Sequence, residues 1–233
     1  MTKEELVLYV NQNISPMNPS TFEKLEALMD STLKTNEKFN LTAIKEEEFF
    51  RELMIYDSLL PIKYFDFKDK KVVDVGTGAG FPGLPLAICT KGQYTLIDST
   101  QKKIDYINDY IKKNKFKNVT AISGRAEDIV KNKRDMFDFA IARAVASLNV
   151  LLELTVPFLK VGGSFIALKG SSYEKEIFEA RMAIKGLNVE ITNVYVETLP
   201  LTKEVRSIIE FKKIKPTSKK YPRIYKDIKE KPL

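Results

Sequence analysis

Hydrophobic positions along this chain follow two different periods, and the change falls near residue 70. Before it the period is helical. Thr2 and Glu5 stand in the Thr-x-x-Glu spacing of a capping box, which predicts an amphipathic helix to about Asn11. Ser20 and Glu23 repeat that spacing before a run with Phe22, Leu25, Met29 and Leu33 on one face, which predicts a second helix. A third helical pattern covers 45–63, with Phe49, Phe50, Leu53, Leu59 and Leu60. Residues 1–65 are therefore expected to form an N-terminal helical extension.

From Lys71 the pattern alternates. Short β-branched or apolar runs predict strands near 71–75, 93–98, 119–122, 137–142 and 163–169, and amphipathic stretches predict helices near 83–89, 100–113, 126–131, 148–158 and 173–185. Such alternation predicts an α/β fold, a doubly wound Rossmann-like parallel sheet. Two further runs, 189–197 and 205–213, have no helix between them and predict a terminal antiparallel hairpin. The expected organisation is a helical extension at 1–65, a cofactor-binding domain at 66–215 and a basic, extended tail at 216–233, where Pro216, Pro222 and Pro232 lie among lysines.

The strongest local signal joins the first strand to the first helix of this region: Asp74-Val75-Gly76-Thr77-Gly78-Ala79-Gly80-Phe81-Pro82-Gly83. Glycines let the chain turn sharply and let a ligand approach the backbone without a Cβ in the way. Gly78, Gly80 and Gly83 match a dinucleotide fingerprint in form. Two residues weigh against a bound pyrophosphate: the Asp74 carboxylate opposes its charge, and Pro82 has no N–H to offer it. A phosphate-free, cationic cofactor, S-adenosylmethionine, tolerates both, and Asp74, Gly76, Gly78, Gly80 and Phe81 are the loop residues expected to bind it. Asp98 and Ser99 end the second strand, where a carboxylate accepts from ribose hydroxyls or caps the following helix. Arg125-Ala126-Glu127-Asp128 follows the third strand and either lines the cofactor crevice or favours a helix N-terminus. Arg143, in Ala142-Arg143-Ala144-Val145 after the fourth strand, is placed where cofactor and substrate meet.

Composition narrows the chemistry. The 233 residues include no histidine and one cysteine, Cys89, so imidazole catalysis, a disulfide and a cysteine zinc cluster are excluded, and no metal is expected. Methylation of a pyrimidine carbon usually needs a cysteine nucleophile, and Cys89 falls on the apolar side of a helix. The Asn/Asp-Pro-Pro-aromatic turn of exocyclic-amine methyltransferases is absent after the fourth strand. Guanine N7 has a free lone pair and no proton, so its methylation needs alignment and no general base.

The net charge of +7 resides in residues 212–233, with nine Lys or Arg against Asp227 and Glu230. A neutral body with a basic tail suggests a polyanionic partner or a solubilising appendage. Lys102, Lys103, Lys169, Arg206, Lys219, Lys220 and Arg223 are the basic residues expected to meet RNA. Loss of the tail is expected to weaken RNA binding and leave cofactor affinity unchanged. Met1-Thr2-Lys3-Glu4-Glu5 has neither the basic start nor the apolar run of a signal peptide, so a cytoplasmic protein with no membrane partner is expected, and nothing requires a dimer.

Asn40-Leu41-Thr42, Tyr56-Asp57-Ser58, the glycine-Phe-Pro-Gly loop, Asp98-Ser99, Lys102-Lys103, Arg125-Ala126-Glu127, Arg143-Ala144 with Ala146-Ser147-Leu148, Leu168-Lys169-Gly170, Lys219-Lys220-Tyr221-Pro222-Arg223 and Lys231-Pro232-Leu233 together resemble the glucose-inhibited division protein B family, the ribosomal small-subunit methyltransferases G. The resemblance spans nearly the whole chain. It implies methyl transfer from S-adenosylmethionine to guanine N7 in the 530 loop of 16S rRNA, free or within the small subunit or its precursor. It also implies that Gly76, Phe81, Ala126, Glu127 and Arg143 contact the cofactor. The family pattern has Arg-His shortly before the Asp-Ser pair; Leu53 and Met54 stand there in this chain, and a role for that histidine does not carry over. The competing readings are a same-fold methyltransferase of small molecules, which would gain nothing from a polycationic tail, and a non-catalytic RNA-binding or assembly protein, against which the intact Asp74, Gly76, Gly78 and Asp98 argue.

Overall fold

The computed structural model describes every residue except 144 and 145, so that half of the Ala142-Arg143-Ala144-Val145 stretch lies outside the described residues. Helix α1 (Lys3–Asn13) opens on the capping box: Thr2 accepts from the Glu5 N–H and Glu5 accepts from the Thr2 N–H. Helix α2 (Pro19–Asn36) starts one residue before Ser20, because Pro19 fits the first helical position and Asn18 caps it by accepting from the Thr21 N–H at 3.0 Å. The third helical stretch changes pitch along its length. It runs as α3 (Glu47–Phe50), a π-helical turn (Arg51–Tyr56), α4 (Asp57–Leu59) and a 3₁₀ turn (Leu60–Lys63) containing Pro61.

The alternating region holds β1 (Lys71–Val75), α5 (Gly83–Cys89), β2 (Gln93–Asp98), α6 (Gln101–Lys113), β3 (Val119–Ser123), α7 (Ala126–Ile129), β4 (Phe137–Arg143), α8 (Leu148–Thr155) and β5 (Leu159–Lys169). Helices α9 (Tyr173–Glu179) and α10 (Arg181–Gly186) follow, broken at Ala180, then the hairpin β6 (Val189–Thr198) and β7 (Val205–Lys213). The strands form one sheet in the order β3-β2-β1-β4-β5-β7-β6. All neighbours from β3 to β5 are parallel, and β7 pairs antiparallel with both β5 and β6. This is the fold class that the alternation predicts.

Side chains alternate across the sheet because successive Cβ atoms point to opposite faces. Val72, Leu96, Ile141, Ile166 and Ile208 pack with α1, α2, α5 and α6 on one face. Val73, Ile97, Ala140, Phe165 and Ile209 pack with α8 and α10 on the other. The N-terminal helices thus share a core with the sheet. The segment expected to be extended is not: it carries helix α11 (Tyr225–Glu230), with Tyr221 and Ile228 buried on the second face. Apolar side chains at 221, 225 and 228 give it a face to bury, which the lysines around them obscure in the sequence. None of the helices described is long and apolar enough to cross a membrane.

Candidate functional site

Strand order reverses between β1 and β4, and a cleft of about 800 Å³ opens at the carboxyl ends of the strands there, the usual ligand position in an open α/β sheet. The glycine loop forms its floor. Gly78 takes a φ of 61°, in the left-handed region that favours glycine, and a Cβ built on it would meet nothing within 4 Å, so the space over it is open.

Asp98 ties this loop to α6. Its Oδ2 accepts from the Gly78 N–H at 3.0 Å and its Oδ1 from the Thr100 N–H at 2.8 Å. Thr100, and not Asp98, holds the helix cap position. A carboxylate offers about four lone-pair sites, so Asp98 retains capacity for ribose hydroxyls. The open space over Gly78 and this remaining capacity fit S-adenosylmethionine.

Two expected cofactor residues lie beneath the cleft instead of lining it. Asp74 is wholly buried; its Oδ2 accepts from the Thr77 hydroxyl at 2.6 Å and the Gly83 N–H at 2.9 Å, and its Oδ1 has no partner. Burial pushes its carboxyl up to about 6, against the opposing pull of those two hydrogen bonds. Gly80 has its Cα direction closed by Leu84, 2.4 Å from a built Cβ. Asp74 and Gly80 therefore shape the loop. Gly76, Gly78, Phe81, Asp98, Ser99, Ala126, Glu127 and Arg143 all line the cleft.

Beyond the loop the lining turns basic. Arg143 donates from Nη1 to the Leu53 carbonyl at 3.0 Å and to Asp57 Oδ2 at 3.2 Å, and from Nη2 to Met54 Sδ at 3.4 Å. Arg206 donates from Nε to the same Asp57 oxygen at 3.2 Å, and pairs through Nη1 with Glu204 at 2.8 Å. The π-helical turn and α4 thus deliver Leu53, Met54 and Asp57 to a guanidinium that begins 86 residues later. Lys169 is paired with Glu176 at 2.6 Å. Lys103, Lys169 and Arg206 line the cleft, while Lys102, Lys219 and Lys220 are exposed outside it. Arg223 is turned inward onto the fully buried Glu153, donating from Nη2 at 2.6 Å and from Nε and its backbone N–H at 2.9 Å each.

Two lining residues had no cleft role assigned from the sequence. Asp57 stands in the Tyr56-Asp57-Ser58 motif but sits far from its partners along the chain, and Tyr225 belongs to a stretch that reads as tail. Tyr225 lines the cleft, its N–H donates to Glu127 at 3.3 Å, and Arg125 lies 5.1 Å from its ring centre. Cys89 lies outside the cleft lining, and burial pushes its thiol up to about 12, away from the thiolate form a nucleophile needs. Among the described residues no cluster of acidic or sulfur ligands could hold a metal ion.

Residues 21–204 match the model of the GidB family, described as rRNA small subunit methyltransferase G. The chain is 40% identical over 228 residues to a protein named ribosomal RNA small subunit methyltransferase G from Oenococcus oeni, covering 96% of this chain and 94% of that one. It is 44% identical over 216 residues to a Thermoanaerobacter protein of the same name, covering 91% and 89%. Among solved structures it is similar in fold to M. jannaschii TYW2 in complex with AdoMet, with a TM-score of 0.58 at 20% identity over 74% of this chain and 80% of that one. It is also similar to a SAM-dependent methyltransferase from Aquifex aeolicus, with a TM-score of 0.54 at 18% identity over 77% and 97%.

Proposed function

Since the chain belongs to the rRNA small subunit methyltransferase G family, and so is an S-adenosylmethionine-dependent methyltransferase, we propose that it methylates N7 of a guanine in the 530 loop of 16S rRNA. The observation that carries this reading is the state of the carboxylates at the basic end of the cleft: Asp57 and Glu176 are both engaged in ion pairs, with Arg143 and Arg206 and with Lys169. Such ion-paired carboxylates suit an acceptor that needs no general base, and N7 needs none, because its lone pair is free and no proton leaves it.

When bound, S-adenosylmethionine supplies an electrophilic methyl group. In this reading Asp98, Ser99, Ala126 and Glu127 hold its adenosine, and the glycine loop carries Gly76 and Gly78 close beneath it. Arg143, fixed by Leu53, Met54 and Asp57, bounds the place where the base arrives. The protein's part is then to align the acceptor and exclude water. Lys103, Arg206 and the exposed lysines of the tail neutralise RNA phosphates, and the chain acts as a monomer on rRNA or on the small subunit and its precursor.

Incubating the protein with labelled cofactor and unmethylated small subunits, then locating the label by mass spectrometry, tests the proposal. Label on N7 of one guanine is the expected result; label on an exocyclic amine, a carbon or no RNA at all would reject it.

A further inference from the structure

Adenine also carries a free N7, so an N7 methyltransferase must read another edge of the base to select guanine. The cleft holds one side-chain pair suited to that. Leu168 lies directly opposite Arg143 in the β4–β5 register, and Lys169 is the next residue along β5. Its Nζ donates to the Ala146 carbonyl at 2.7 Å and is ion-paired with Glu176 Oε2 at 2.6 Å. An ammonium has three N–H groups, so at least one is left beside these two partners among the described residues. Glu176, on α9, also accepts from the Leu148 N–H at 3.2 Å through Oε2, and its Oε1 takes no hydrogen bond among the described residues. Both side chains line the cleft. The pair is therefore tied to backbone groups on both sides and, among the described residues, offers an uncommitted donor and an uncommitted acceptor.

Resting on the guanine-N7 reading above, we propose that the Lys169–Glu176 pair reads the O6 and N1–H edge of the acceptor guanine. Lys169 donates to O6 and Glu176 Oε1 accepts from N1–H. Adenine presents the reverse, an exocyclic amine donor and an N1 acceptor, which would set donor against ammonium and lone pair against carboxylate. The contact also serves the chemistry. As the N7 lone pair forms the bond to the methyl carbon, the C–S electron pair leaves with sulfur and the guanine ring becomes cationic. Its N1–H then becomes a stronger donor, and the bond to a carboxylate strengthens in the transition state. Glu176 is accordingly a specificity residue whose loss lowers kcat as well as raising KM.

The test uses the full-length protein and small subunits reconstituted with 16S rRNA carrying either guanine or 2,6-diaminopurine at the target position. Diaminopurine keeps N7 and the 2-amino group and reverses only the O6 and N1–H edge. The wild type is expected to prefer guanine strongly. Glu176→Gln keeps an acceptor for Leu148, so melting temperature and cofactor affinity by calorimetry should hold. Its kcat/KM on guanine should fall by about 10- to 100-fold while diaminopurine changes little, so that the preference collapses. Wild-type protein that methylates both bases equally, or a variant that keeps the wild-type preference, would overturn the proposal. Methyl transfer by the wild type to an atom other than N7 is a separate outcome, which rejects the acceptor assignment on which the proposal rests.

Discussion

At Asp74 and Asp98 two carboxylates hold one glycine loop in different ways, and each way carries its own prediction. Asp74 is buried with its carboxyl raised to about 6 from an ordinary 3.8. The unfolded chain releases this proton near pH 4 and the folded chain near pH 6, so between those values the folded state binds more protons. Stability from this group is therefore fully present below about pH 4 and is lost as pH rises toward 6, by about 3 kcal/mol. Asp74→Asn keeps an oxygen for Thr77 and Gly83 and does not titrate there. Denaturant melts across that range should show the variant gaining on the wild type from about pH 4 to about pH 7; parallel stability curves would sink the account. Asp98 is half-buried and lines the cleft, where the proposed reading has it hold the cofactor. Asp98→Ala removes charge-assisted hydrogen bonds and the acceptor for Gly78, so S-adenosylmethionine affinity should fall by roughly 10- to 100-fold by calorimetry. Both residues were visible in the sequence as carboxylates ending strands. Their different depths were not, because burial depends on how Leu96 and α5 close over Asp74, which no local spacing encodes.

The junction of β1, loop and α5 is where element geometry is tightest. A Cβ on Gly83 would lie 2.1 Å from Leu96 Cδ2 and 2.9 Å from Asp74 Oδ2, so α5 can approach β2 only with glycine there. Gly83→Ala should cost about 1–3 kcal/mol of stability in urea melts, since Leu96 is fully buried and cannot move aside without repacking. The strand–glycine–helix order that makes this junction was legible from period and composition, as were the parallel sheet and its closing hairpin. The pitch of the third helical stretch was not. Its apolar positions suit any helix, and only the contacts of Leu53, Met54 and Asp57 with Arg143 show why a π-helical turn is useful: it aims a carbonyl, a thioether and a carboxylate at one guanidinium. Sequence patterns reveal residues that their neighbours announce; Tyr56-Asp57-Ser58 marks Asp57 within the resemblance, but its role shows only with a partner 86 positions away.

Over the whole molecule the C-terminal segment changes meaning most. Read as sequence, residues 216–233 are a basic appendage whose removal should leave the cofactor site untouched. In the fold they are anchored. Arg223 makes three hydrogen bonds to Glu153, which is wholly buried, and Tyr221 and Ile228 are buried on the second face of the sheet. Cutting the chain after 216 would leave the Glu153 carboxylate without its partner, and breaking a buried pair in this way typically costs about 3–5 kcal/mol. A drop of roughly 10 °C in melting temperature is expected for a chain of this size. Cofactor affinity should fall too, because Tyr225 forms part of the cleft wall beside Glu127. RNA binding must be separated from this loss of structure. Replacing the exposed Lys219, Lys220, Lys226 and Lys229 by glutamine leaves the anchors in place. That variant should melt and bind cofactor as the wild type does. Its RNA affinity should be weaker, with a salt slope shallower by about 0.7–0.9 for each phosphate that is no longer neutralised. A truncated protein with unchanged melting and cofactor affinity would show that the anchoring contributes nothing. A glutamine variant with an unchanged salt slope would show that these lysines meet no phosphate.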